Sequence, residues 1–116
     1  MDIEANKVIV RRYMEMWNTG NIALADEVLS SAYLDYAHPE ILSPEHVKQA
    51  VLKIRAASPN FHITIDCMIS EGDIVALRNI IRRTHQEREV VSRVMMFIRI
   101  ANGKMVELWT GTEVSG

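Results

Sequence analysis

The segment NGKMVELWTGTE, residues 102–113, places an indole at Trp109 and a carboxylate at Glu113, four positions apart. Alternate side chains of a β-strand share a face, so Glu107, Trp109, Gly111 and Glu113 fall together unless a bulge intervenes, for which Gly111 is a natural place. If that face lines a pocket, Trp109 supplies an apolar wall that makes a nearby carboxyl hold its proton more tightly, which suits a general base near neutral pH. The alternative is that Glu113 is a solvated strand end.

A second candidate group lies in YLDYAHPE, residues 33–40. Tyr36 and His38 face the same way if the chain is extended. Either can act on a substrate carbonyl, the histidine by moving a proton and the tyrosine by donating a hydrogen bond. Taken singly, each also reads as an ordinary loop residue. Tyr13 and Trp17, one helical turn apart, are candidate ligand-contacting aromatics, as is His85. By alternation Arg78 and His85 lie on opposite faces of their strand. Arg78, Arg82, Arg83, Arg88, Arg93 and Arg99 read as cross-strand partners or as side chains lying over a dimer surface.

Other chemistries find little support. His38, His46, His62 and His85 have no HxxxH or HxxE spacing, so no metal site is expected. The seven methionines read as adaptable core filler. No phosphate-binding loop, dinucleotide fingerprint, nucleophile elbow or Cys-His arrangement is present.

These residues need a scaffold, and hydrophobic periodicity supplies one. Ile9, Tyr13, Met16 and Trp17 form one stripe, predicting a helix over about residues 3–19 that ends at Gly20. Asn21 is positioned to cap a second, shorter helix. Ser43-Pro44-Glu45 supplies the N-cap, first-turn proline and early acid of a third, with Val47, Ala50, Val51 and Ile54 as its buried stripe. After Pro59-Asn60 the period changes to four strands, 61–70, 74–85, 89–100 and 104–113. Gly72-Asp73 and Asn102-Gly103 predict tight hairpin turns, and Gln86–Arg88 a short loop. The expectation is one α+β domain over residues 1–116, with three helices packed on an antiparallel sheet.

Composition fits one small core: 116 residues, 48% of them hydrophobic. Thirteen basic and fifteen acidic residues give a net charge of −2, which argues against nucleic acid or a membrane surface as partner. The N-terminus lacks signal-peptide character, and a single cysteine, Cys67, suits a reducing compartment, so a cytoplasmic location is expected.

WNTGN (17–21), SPN (58–60), EGD (71–73), THQE (84–87) and NGKMVELW (102–109) occur in the order found in SnoaL-like polyketide cyclases. The chain therefore resembles that family, part of the NTF2-like superfamily. The resemblance implies helices against a strongly curved sheet, a cone-shaped pocket, frequent dimerisation, and cofactor-free acid/base chemistry in which a last-strand carboxylate assists an intramolecular aldol closure. Glu113 stands where the family usually has aspartate, Tyr36 where it often has histidine, and His85 at its THxG histidine. The family's glycine-rich loop before the third long strand is missing, which implies a shorter pocket rim.

Two functions follow as expectations. One is a cofactor-independent cyclase or isomerase that abstracts a proton from a small apolar carbonyl compound, with Glu113 as base and His38 or Tyr36 as polarising partner. The other is a non-catalytic module that binds a small hydrophobic ligand or serves for dimerisation. Strand three is apolar on both faces, Val90, Val94, Met96, Ile98 and Ile100 on one and Val91, Met95 and Phe97 on the other, which predicts a homodimer through the outer sheet face.

Overall fold

The computed structural model describes residues 2–113. The Asp2 carboxylate accepts from the backbone N–H groups of Glu4 and Ala5, capping α1 (Ile3–Thr19). Val10, Tyr13, Met14 and Met16 form its buried stripe. Gly20, at φ 79°, closes the helix by donating to the Met16 carbonyl, a conformation that a side chain would strain.

Asn21 does not cap α2 (Leu24–Val28). Ala23 occupies that position without a side-chain bond, and Asn21 contributes only its carbonyl, to the Leu24 N–H. α3 (Pro44–Ala57) starts with proline as expected, though the Ser43 hydroxyl makes no capping bond. Val47 and Val51 are its buried anchors.

The sheet has five strands where the periodicity predicts four. β1 (Leu29–Asp35) follows α2 directly, and β2 (His62–Glu71), β3 (Ile74–His85), β4 (Arg88–Ala101) and β5 (Lys104–Thr112) form the meander. The order is β1-β5-β4-β3-β2, with β1 parallel to β5 and all other pairs antiparallel. β1 carries little strand signal in LSSAYLD because its backbone partners lie some seventy residues away, and only docking against β5 satisfies them. The expected loop at 86–88 is a two-residue turn, Gln86-Glu87, with both φ values positive (51° and 64°). That is the twist a tight hairpin demands, here imposed on two residues that do not favour it.

Two irregularities direct the side chains. Between Ile65 and Cys67 the β2–β3 register shifts at Asp66. On β5, Arg99 pairs with Glu107 but Ile100 pairs with Met105, leaving Val106 as the extra residue of a bulge. Beyond it, Leu108, Thr110 and Thr112 face the helices, while Glu107, Trp109 and Gly111 face away.

α1 and α3 cover the concave face, where Tyr33, Met16, Ile98, Met105 and Val51 are fully buried. Each large apolar side chain so buried contributes about 1.5–3 kcal/mol relative to exposure. Polar straps lock the helices to the sheet. Asn18 donates to the Ile63 carbonyl at 2.9 Å and accepts from the Ile63 N–H at 2.7 Å. The Arg55 guanidinium donates to the carbonyls of Trp17 (3.0 Å), Phe61 (3.1 Å) and Pro59 (3.3 Å), joining α3 to the end of α1 and the start of β2. Among the described residues no helix is long and apolar enough to cross a membrane.

Candidate functional site

Between α1, α3 and the concave sheet face lies a cavity of about 470 Å3. That is within the usual range of small-molecule sites, about 300–1,000 Å3. Its walls are apolar, among them Met14, Ile54, Ile63, Val94, Met96 and Leu108. Three aromatics shape one side: Tyr13 meets Trp17 edge-on, with centroids 6.3 Å apart, and Trp17 meets Phe61 at 6.1 Å. The Arg55 and Asn18 straps fix the backbone beneath Trp17, Phe61 and Ile63, so this wall is preorganised.

Polar groups enter from two directions. The sheet contributes Arg83, Ser92, Thr110 and Thr112, and the segment after β1 contributes Asp35, His38 and Glu40. Asp35 lies opposite Leu108 on the inner face, with its side chain only 10% exposed. One carboxylate oxygen, Oδ1, accepts from the N–H groups of Ala37 (3.0 Å) and His38 (3.2 Å), folding the chain back on itself in an Asx turn. The other, Oδ2, lies 3.3 Å from His38 Nδ1. A carboxylate at Nδ1 selects the tautomer protonated there, which leaves the Nε2 lone pair free.

Tyrosine hydroxyls pack close to the same carboxylate. Burial pushes Tyr13 up to about 12, and the charge of Asp35 adds to the effect. Burial likewise raises Tyr33, reinforced by Tyr13 and Asp35, and its hydroxyl has no hydrogen-bond partner among the described residues. Both phenols therefore stay neutral and able to donate at any ordinary pH.

The structure divides the candidates read from the sequence between two faces. Tyr13, Trp17 and His38 line the cavity. Tyr36 does not share a face with His38, because the Asx turn at Asp35 ends the extended chain between them. Tyr36 instead stacks on Trp109 across the convex face. Trp109 is half exposed there and is no wall of the cone. Glu113 also belongs to the convex face: its N–H donates to the Arg93 carbonyl at 3.0 Å, and its exposed carboxylate pairs with Arg93 at 3.4 Å. Glu107 through Glu113 do share a face, but the bulge at Val106 and the docking of Leu108 beside Asp35 make it the outer one. His85 is exposed at the β3–β4 turn, outside the cavity. Arg78 pairs outside with Asp66 at 2.6 Å.

Asp35, which reaches the cavity together with Glu40, goes unmarked by strand periodicity. Its signal is local: an aspartate, two residues, then His38-Pro39 is an Asx-turn pattern, and such a turn brings a carboxylate and an imidazole together.

Sequence matching covers residues 7–114 with the SnoaL-like polyketide cyclase family. Among solved structures, TsrD from Streptomyces laurentii superposes with a TM-score of 0.86 at 15% identity, covering 97% of this chain and 91% of that one. A SnoaL-like polyketide cyclase from Agrobacterium tumefaciens str. C58 gives 0.81 at 14% identity, covering 97% and 93%. A candidate polyketide cyclase from Bacillus cereus ATCC 10987 gives 0.81 at 23% identity, covering 90% and 72%. At these identities the likeness shows a shared fold. No curated protein matches the chain. The match along nearly all of the described residues, on a fold of helices against a curved five-stranded sheet, makes the chain a member of the SnoaL-like polyketide cyclase family, of NTF2-like fold.

Proposed function

We propose that the chain is a cofactor-independent acid/base enzyme, a cyclase or isomerase, acting on a small, largely apolar carbonyl compound held in the cone. The observation that carries this reading is the Asp35–His38 contact at the wall of a largely apolar cavity. His38 Nε2 takes a proton from the carbon next to the carbonyl, and Asp35 stabilises the imidazolium that forms. The C–H electron pair becomes an enolate, whose oxygen accepts a hydrogen bond from the Tyr13 hydroxyl. The enolate then takes the proton back at another carbon, which is isomerisation. Alternatively its carbon attacks a second carbonyl of the same molecule, and the proton passes to the new alkoxide, which closes a ring.

Deuterium exchange of the α-protons of benzylacetone, followed by NMR in D2O, tests the assignment. His38→Gln and Asp35→Asn should each slow enzyme-dependent exchange by about 100-fold or more. Unchanged exchange in both variants would remove the dyad from the chemistry.

One feature favours the second reading, binding without turnover: the His38 side chain is 59% exposed, an open setting for a catalytic base. Under that reading benzylacetone raises the melting temperature of wild type and His38→Gln alike, and neither exchanges its protons.

The assembly proposed is a homodimer in a reducing compartment. Met95 (57% exposed), Phe97 (52%) and Trp109 (51%), with Val91 and Tyr36, are exposed apolar side chains of the convex face that no element among the described residues covers. A shallow hollow of about 320 Å3 lies among Tyr36, Ala37, Met95, Phe97 and Trp109. A second copy of the chain, packed isologously, covers such a surface.

A further inference from the structure

The arginines are not equivalent. Arg12, Arg78, Arg82, Arg93 and Arg99 form ion pairs with carboxylates, and Arg55 is consumed by three backbone carbonyls. Arg83 forms no ion pair or side-chain hydrogen bond among the described residues, and it is the arginine whose residue lines the cavity. It stands on the inner face of β3 together with Ile81, which is paired with Ser92 of β4. Ser92 is next but one to Val94, which is paired with Thr112 of β5. Arg83, Ser92 and Thr112 thus run diagonally across three adjacent strands on the cavity side. Diagonal neighbours on one sheet face lie about 7–8 Å apart, within reach of an arginine. The Ser92 and Thr112 hydroxyls likewise make no hydrogen bond to protein among the described residues.

This band offers a planar guanidinium and two hydroxyls, a set of donors matched to a planar anion with two acceptor oxygens. Across the rim, beyond β4 and β5, stand Asp35 and Glu40, which repel the same anion. The asymmetry orients a ligand that carries negative charge at one end.

From this band we propose that the ligand of the cone is a keto acid: Arg83, with Ser92 and Thr112, holds its carboxylate at the sheet side of the rim, and the apolar body and ketone extend into the cavity toward Tyr13 and Asp35. The inference rests on the cone being the ligand site, and it adds that Arg83 determines specificity. It does not require that the bound compound be turned over.

Binding of benzoylpropionate and benzoylbutyrate, and of their methyl esters, is measured calorimetrically at pH 7 against wild type, Arg83→Gln, Arg83→Lys and Arg88→Gln. The last is a control at an arginine outside the cavity. In wild type the acid of at least one pair should bind about tenfold more tightly than its ester, the worth of one charge-assisted contact. Arg83→Gln should abolish that preference without weakening the ester. Arg83→Lys should keep part of it, Arg88→Gln all of it, and high salt should reduce it. Equal binding of acid and ester by wild type, an acid preference that survives Arg83→Gln, or no binding by either acid would each overturn the proposal. A preference that depends on Arg83, found together with no proton exchange on benzylacetone, would uphold this inference while rejecting the catalytic reading.

Discussion

The rings of Tyr36 and Trp109 stack with centroids 4.0 Å apart and planes 15° from parallel, on the convex face of the sheet and away from the cavity. Stacked aromatics contribute about 0.5–1.5 kcal/mol beyond their buried area. Trp109→Ala should therefore lower stability by about 1 kcal/mol and weaken self-association, while leaving the affinity of the cone for benzylacetone unchanged. Urea unfolding and calorimetry check the two halves separately.

Met95 lies next to the directly paired Phe97 and Trp109 on that face, opposite Gly111, while Met96 points the other way into the core. Light scattering at micromolar concentration should report twice the chain mass of 13.2 kDa for wild type and the single mass for Met95→Glu. A wild-type monomer would reject the proposed dimer.

Glu113 pairs with Arg93 among exposed side chains. An exposed pair of this kind is worth little, about 0–1 kcal/mol. Glu113→Gln should retain full exchange activity on benzylacetone, in contrast to His38→Gln. A large loss on Glu113→Gln would show that the last-strand carboxylate acts after all.

Tyr13 gives stability a predictable alkaline limb. Its hydroxyl is held up to about 12 by burial, against an ordinary value of 10.0. Between those values the unfolded chain releases the proton while the folded chain keeps it, so stability is intact below pH 10 and falls as pH rises toward 12. The slope is about 1.4 kcal/mol per pH unit for each such tyrosine. Urea unfolding from pH 9 to 11.5 should show the decline, and Tyr13→Phe should make it shallower.

Asn79 is fully buried at the centre of β3, its amide nitrogen 3.4 Å from the Met96 sulfur and its Oδ1 without a partner among the described residues. An unsatisfied buried acceptor costs about 1–3 kcal/mol, whereas an apolar residue of similar size removes that cost. Asn79→Val should raise the urea midpoint by the equivalent of about 1 kcal/mol. A clear destabilisation would show that the amide is satisfied in solution.

The elements themselves are written locally. The α1 periodicity through Tyr13 and Met16, the left-handed stop at Gly20, the proline start of α3 and the Asn102-Gly103 turn depend on neighbours within a few residues, and such preferences can be read in one dimension. The ordered motifs add the family, and with it the helices-on-curved-sheet fold. The identity of the site is different. Strand alternation groups Glu107, Trp109 and Glu113 correctly, yet it carries no sign: which face is concave depends on which one the helices cover. That choice is made by the bulge at Val106, by the parallel docking of β1 that seats Asp35 beside Leu108, and by the straps from Asn18 and Arg55. The docking of β1 and the straps between helices and sheet are contacts between distant segments, and the bulge, though it lies within one hairpin, leaves no periodic trace either. The same docking turns Tyr36 outward and His38 inward, because a single carboxylate, Asp35, bonds two backbone N–H groups and bends the chain between them.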